Sequence, residues 1–192
     1  KKKVFTGQVQ SFARVFYNKR NFNADIGYWD MSRAVVTAEM FKGARKFNQD
    51  IGDWDLSKNK WYWGMFYGAK IFNQDIGDWN TSKAVSFSTM FAHAHRFNQD
   101  ISSWNTSRVF TMYQMFARTK KFNQNIKIDW IVDEHYYDIL SFNKDINKIT
   151  IKSDFIKYQA EQKFESIKFG YLVYIYQLGR QNGKSYEIRS AS

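Results

Sequence analysis

The sequence predicts an α/β solenoid of about five 25-residue turns, followed by an appendage of one C-terminal helix and a β-hairpin. Three observations predict it. The pair Phe-Asn recurs at Phe22, Phe47, Phe72, Phe97 and Phe122, always 25 residues apart. Other apolar residues keep fixed offsets from each Phe. After about residue 127 this period is lost, and the pattern changes to that of a helix and two strands.

Within each period the apolar offsets define the interior. Ile26, Ile51, Ile76, Ile101 and Ile126 lie four residues after each Phe, and Trp29, Trp54, Trp79 and Trp104 three further on. A Met-Phe pair recurs at Met40-Phe41, Met65-Phe66, Met90-Phe91 and Met115-Phe116, with Val15-Phe16 as the first equivalent. One period is too short to bury its own apolar face, but stacked periods turn these positions into continuous ladders. "IGDWDL" at 51–56 reads apolar-x-x-apolar-x-apolar, like the strand of a leucine-rich repeat, with Asn59 where that repeat places its Asn. A short strand is therefore expected near 53–56 and at its equivalents. The next segment, as in 83–95, carries Met90, Phe91 and Ala94 at spacings that suit a short helix, with Gly43 and Gly68 near the helix ends.

The domain boundaries follow. Residues 1–130 form the repeat solenoid with a basic N-terminal end, 131–150 a degenerate turn or cap, and 151–192 the appendage. In the appendage, Ser153 caps a helix that ends before Gly170, and strands at 171–178 and 185–190 pair across Asn182-Gly183.

The pattern F-N-Q-D-I-x-x-W-[DN]-x-S…M-F-x-x-A covers about residues 16–126. It resembles the surface-protein repeat of mycoplasma-type lipoproteins, grouped with BspA-like leucine-rich repeats. The resemblance implies a right-handed, leucine-rich-repeat-like solenoid and a cell-surface or extracellular, adhesion-like role. "KKK" at the start is followed by no apolar segment, so no signal peptide is read there.

Composition narrows the function classes. The 192 residues carry a net charge of +11, 19% aromatics and no Cys. A thiolate metal site and a disulfide framework are thereby excluded. No apolar run approaches the ~20 residues of a membrane span. The positive balance favours an acidic partner: a protein or other acidic surface, with nucleic acid as a further class.

Three polar columns accompany the core. Asn23, Asn48, Asn73, Asn98 and Asn123 are expected to satisfy backbone groups and link successive turns. Asp25, Asp50, Asp75 and Asp100 are read as turn residues in preference to a Ca²⁺ site or an acid/base pair. A catalytic pair needs two different environments, whereas this column repeats one. The third column precedes each Phe: Lys19 and Arg20, Arg45 and Lys46, Lys70, Arg96, Lys120 and Lys121. It makes one cationic edge, either a solvated rim or a binding surface. Asp30, Asp55, Asn80 and Asn105 are placed on the exposed strand face.

These readings point to a non-enzymatic repeat module for protein–protein or surface contact. No catalytic residue, metal or cofactor is implied. Two alternatives remain: a structural subunit of a large assembly, and a binder of nucleic acid or acidic polymer through the cationic edge.

Overall fold

A computed structural model describes residues 5–109 and 111–124. All of them fall within the unit Lys1–Ile151. The expected cap at 131–150 and the appendage at 151–192 lie outside the described residues.

Successive 25-residue coils lie one over the next in parallel. Isolated parallel bridges join Ser11 to Val36, Val36 to Trp61, Trp61 to Ser86 and Ser86 to Thr111. From each bridge, alternate residues donate their backbone N–H to the following coil. In the first coil Phe12 donates to Val36 O (2.8 Å), Arg14 to Ala38 O (3.1 Å), Phe16 to Met40 O (2.9 Å) and Asn18 to Lys42 O (2.7 Å). The residues between them donate within their own coil, as Tyr17 does to Arg14 O (3.0 Å) and Lys19 to Phe16 O (3.1 Å). Every N–H in the segment thus has a use, half for closing turns and half for joining coils.

This backbone is not the expected short helix, and the described residues contain no α-helix. An α-helix sends each N–H four residues back along its own chain. Here two residues per coil adopt the left-handed conformation and break that path. One column holds Arg14, Glu39, Gly64, Thr89 and Gln114, with φ between 49° and 62°. The other holds Asn18, Gly43, Gly68, His93 and Arg118, with φ between 57° and 73°. A left-handed non-glycine residue costs roughly 1–2 kcal/mol. The coil-to-coil bonds released by the broken helix offset that cost, at roughly 1 kcal/mol each.

The strand expected near 53–56 is not formed either. Inter-coil pairing occurs instead at the bridge column, about six residues further along each coil. Residues 53–56 run from the end of one tight turn, opened by Asp50, into the next, opened by Asp55.

The core is aromatic and repeats with the coil. Phe41, Phe66, Phe91 and Phe116 are wholly buried, with ring centroids 5.5–5.7 Å apart between coils. The Phe-Asn phenylalanines run beside them as a second ladder, with steps of 5.7, 5.8, 6.1 and 5.9 Å. Within each coil the two ladders stack face to face, Phe66 on Phe72 at 4.0 Å. Full burial of one such ring is worth roughly 1.5–3 kcal/mol. Trp54, Trp79 and Trp104 are buried beside them with their N–H satisfied, whereas the buried Nε1 of Trp29 has no partner among the described residues. Trp54, Trp79 and Trp104 donate Nε1–H to Ile26 O, Ile51 O and Ile76 O of the preceding coil, at 3.3, 3.0 and 3.0 Å.

Close stacking explains one glycine column. A Cβ on Gly77 would sit 2.9 Å from Asp100 O of the next coil, and one on Gly52 3.0 Å from Asp75 O. Neither distance accommodates a side chain without pushing the coils apart.

Candidate contact surface: polar ladders and basic edges

The asparagine column forms a continuous ladder. Asn23 Oδ1 accepts the N–H of Asn48, Asn48 Oδ1 that of Asn73, and Asn73 Oδ1 that of Asn98, each at 2.8 Å. Asn98 Oδ1 accepts from Asn123 at 2.7 Å. The Oδ1 of Asn123 is buried and has no partner among the described residues. A second ladder lies beside the first. Gln74, Gln99 and Gln124 donate Nε2–H to Asn48 O, Asn73 O and Asn98 O, at 3.1, 2.9 and 3.1 Å. The glutamines were not singled out in the sequence, although their 25-residue period was visible.

Each aspartate of the second column binds the chain two residues on. Asp25, Asp50 and Asp75 accept from the N–H groups of Gly27, Gly52 and Gly77, and Asp100 from Ser102, at 2.9–3.1 Å. Hydrogen bonding by Ser102 holds the Asp100 carboxyl below its ordinary range. Asp30, Asp55, Asn80 and Asn105 do the same for Ser32, Ser57, Ser82 and Ser107, at 3.0–3.1 Å. They are turn-forming residues at a second corner and not the face of a strand, because a two-residue side-chain loop needs only an oxygen acceptor at this place. That explains why Asp serves in the first two coils and Asn in the next two, and why those two read Asn-Thr-Ser. Among the described residues no three His, Asp or Glu side chains gather to hold a metal ion.

The basic edge is exposed in every coil. Lys19, Arg20, Arg45, Lys46, Lys70, Arg96, Lys120 and Lys121 all face solvent. Backbone bonds join two pairs of neighbouring coils at this edge: Lys46 N–H donates to Arg20 O at 3.1 Å and Arg96 N–H to Lys70 O at 3.2 Å. The ion pairs found among the described residues both belong to Glu39 and involve none of these cations. The neighbouring Asp column accepts the N–H bonds of its own turns, and among the described residues it forms no ion pair with the row.

His93 and His95 sit within this edge. Partial burial lowers both imidazoles below their ordinary value, and the positive charges of Lys70 and Arg118 (at His93) and of Lys120 and Lys70 (at His95) lower them further. His93 also contacts the Tyr67 ring, centroids 5.2 Å apart.

A second basic row was missed in the sequence. Arg33, Lys58, Lys83 and Arg108 repeat at the 25-residue period and are all exposed. Each directly follows the Ser of the second turn. Acidic neighbours temper this row in its first two coils, where Arg33 and Lys58 act on Asp30 and Asp55.

One buried charge stands apart. Glu39, 3% exposed, is paired with Arg14 Nε and with Lys42 Nζ. Burial raises its carboxyl, but the hydrogen bonds and charges of Lys42 and Arg14 outweigh burial and hold it below its ordinary value. Lys42 Nζ in turn lies over the Tyr17 and Tyr67 rings, at 5.7 and 5.0 Å. Asn59 is likewise fully buried and donates Nδ2–H to Thr37 Oγ1 at 2.8 Å. No helix among the described residues is long and apolar enough to cross a membrane.

No curated protein and no solved structure matches the chain. A family profile does, and it matches twice in overlapping stretches, residues 2–93 and 63–147. Together the matches span most of the 192 residues, and the chain belongs to the family described as Mycoplasma protein of unknown function, DUF285.

Proposed function

We propose that the chain is a non-enzymatic interaction module, a right-handed, leucine-rich-repeat-like solenoid that presents repeated surface columns to a macromolecular partner at a cell surface. The observation that carries this reading is the exposed basic edge, repeated at each coil that the bridge column and the Asn ladder hold in register. Such a row offers the same contact many times along one line, which suits an extended partner. Catalysis would instead need one asymmetric constellation of groups. Membership in a family of mycoplasma proteins agrees with a surface role, as the repeat resemblance implies.

The test is fold-dependent binding. The full chain is immobilised and exposed to protein, glycan and lipid fractions prepared from cell surfaces. Saturable binding to one fraction, lost when the chain is unfolded, is the expected result. Equal binding by folded and unfolded chain would sink the reading, because the charge alone would then suffice.

A further inference from the structure

The geometry points to a ligand class for the basic edge: we propose that it binds an unbranched acidic polysaccharide lying along the stack, one anionic sugar unit per coil. This deepens the interaction-module reading and rests on it.

Pitch is the first argument. Ring centroids in the adjacent Phe ladder are 5.7–6.1 Å apart, and the parallel bridges between neighbouring coils set a backbone step of about 5 Å along the stack. That step is close to the length of one sugar residue in an extended chain, so successive carboxylates or sulfates meet successive cations. Duplex DNA carries one charge per ~1.7 Å of axis, several for each coil step, and would remain largely unneutralised by a single row.

Width and chemistry are the second. The row is two residues wide, as at Arg45-Lys46 and Lys120-Lys121, and narrows to one at Lys70 and Arg96. It fits one strand of polymer. Single-stranded nucleic acid is held largely by bases stacking on aromatic rings. Positions 19–21 and their equivalents carry no Phe, Tyr or Trp, and the Phe that follows is in the core or packed against it. Hydroxyl-rich sugars need no such platform.

Availability is the third. The row makes no ion pair among the described residues, and the aspartates after it are held in their own turns.

His93 and His95 add a proton dependence. The groups that face them are Lys70, Arg118, Lys120, the Tyr67 ring and each other. Partial burial, with these cations, holds both imidazoles below their ordinary value in the free protein. A bound polyanion reverses that field and favours the imidazolium form. Binding therefore takes up protons and tightens as pH falls from 7.5 toward 5.5.

The experiment uses the full chain with size-defined heparin oligosaccharides as the probe, titrated at several salt concentrations. Two triple variants lose the same charge from different rows: K70S/R96S/K120S and K58S/K83S/R108S. The first is expected to weaken binding at least tenfold and to flatten the plot of log K against log salt by a slope of roughly 2. The second is expected to stay within about threefold of the parent. H93Q/H95Q is expected to remove the tightening at low pH while leaving affinity at pH 7.5 nearly unchanged. Equal losses for both triple variants would overturn the proposal by making net charge the cause. Equal or tighter binding of single-stranded DNA would overturn its choice of ligand. If heparin fails to bind at low salt while fold-dependent surface binding persists, this proposal falls and the module reading stands; if both fail, both fall.

Discussion

Replacing Asn73 by Ala removes one rung of the asparagine ladder and little else. Asn73 Oδ1 is the acceptor for the Asn98 N–H at 2.8 Å, and its own N–H still reaches Asn48 Oδ1. The neighbouring Gln99 bond runs to the Asn73 backbone oxygen and survives. The loss is therefore one donor between two coils with no acceptor. A buried donor left unsatisfied costs roughly 1–3 kcal/mol. Asn73 and Asn98 are half-buried, so water reaches part of the site, and a loss of about 1–2 kcal/mol is expected. Asn73→Asp keeps an acceptor oxygen and should recover more than half of that at neutral pH. Asn123→Ala provides the comparison, because the Oδ1 it removes has no partner among the described residues. Urea denaturation followed by tryptophan fluorescence, with unchanged m, gives each difference. If Asn73→Ala lies within 0.3 kcal/mol of the parent (about the smallest difference such fits resolve), or if Asn123→Ala costs as much, the ladder does not carry the load assigned to it.

Three further perturbations address other parts of the stack. Gly77→Ala places a Cβ 2.9 Å from the Asp100 carbonyl and should destabilise by about 1–3 kcal/mol in the same denaturation series; a neutral result would mean the coils are further apart than described. Phe66→Ala empties a wholly buried position that stacks on Phe41, Phe72 and Phe91, and should cost about 3–5 kcal/mol, read as a fall in Tm and urea midpoint. Glu39→Gln tests the ion pairs that this buried carboxylate makes with Arg14 and Lys42. The folded carboxyl lies below its ordinary value, so its stabilisation is present above the unfolded pKa and is lost as pH falls through the folded one. The parent should lose more stability than the variant between pH 5 and 3, and parallel pH profiles would refute the assignment.

Much of this was legible in the sequence because the repeat fixes which residues are equivalent. Phe, Ile, Trp and the Met-Phe pair occupy the core columns because only large apolar side chains recur there. The local backbone was harder. Met90, Phe91 and Ala94 have helical spacing, yet Thr89 and His93 are left-handed and nothing in those letters says so. A signal existed in the columns. Gly64 shares one register with Thr89, while Gly43 and Gly68 share the other with His93, and Asn18 tolerates the same conformation. Gly43 and Gly68 read alone look like helix caps, and read in register they mark a positive φ in every coil. The strand expected at 53–56 failed for a related reason. Alternation in "IGDWDL" comes from exposed Asp53 and Asp55 falling between buried Ile51, Trp54 and Leu56 where two side-chain turns meet. Neither Glu39 nor the Arg33 row lies beside the Phe-Asn pair that marks the repeat. Arg14 and Glu39 share one column at the 25-residue spacing and Lys42 lies three residues on in the same coil, but the column changes residue type from coil to coil, so the repeat does not mark it as a charge pair.

The central claim is that residues 25 apart lie in one row along the stack, because function is assigned to such a row. The chain has no Cys, so two introduced cysteines label it uniquely. Spin labels on R20C/K120C, measured by pulsed dipolar spectroscopy, report four coil steps. Stacked coils predict a narrow distribution centred at roughly 20–30 Å, four spacings of about 5 Å plus the label arms. A broad distribution beyond about 40 Å, as expected of 100 residues that do not stack in register, would contradict it.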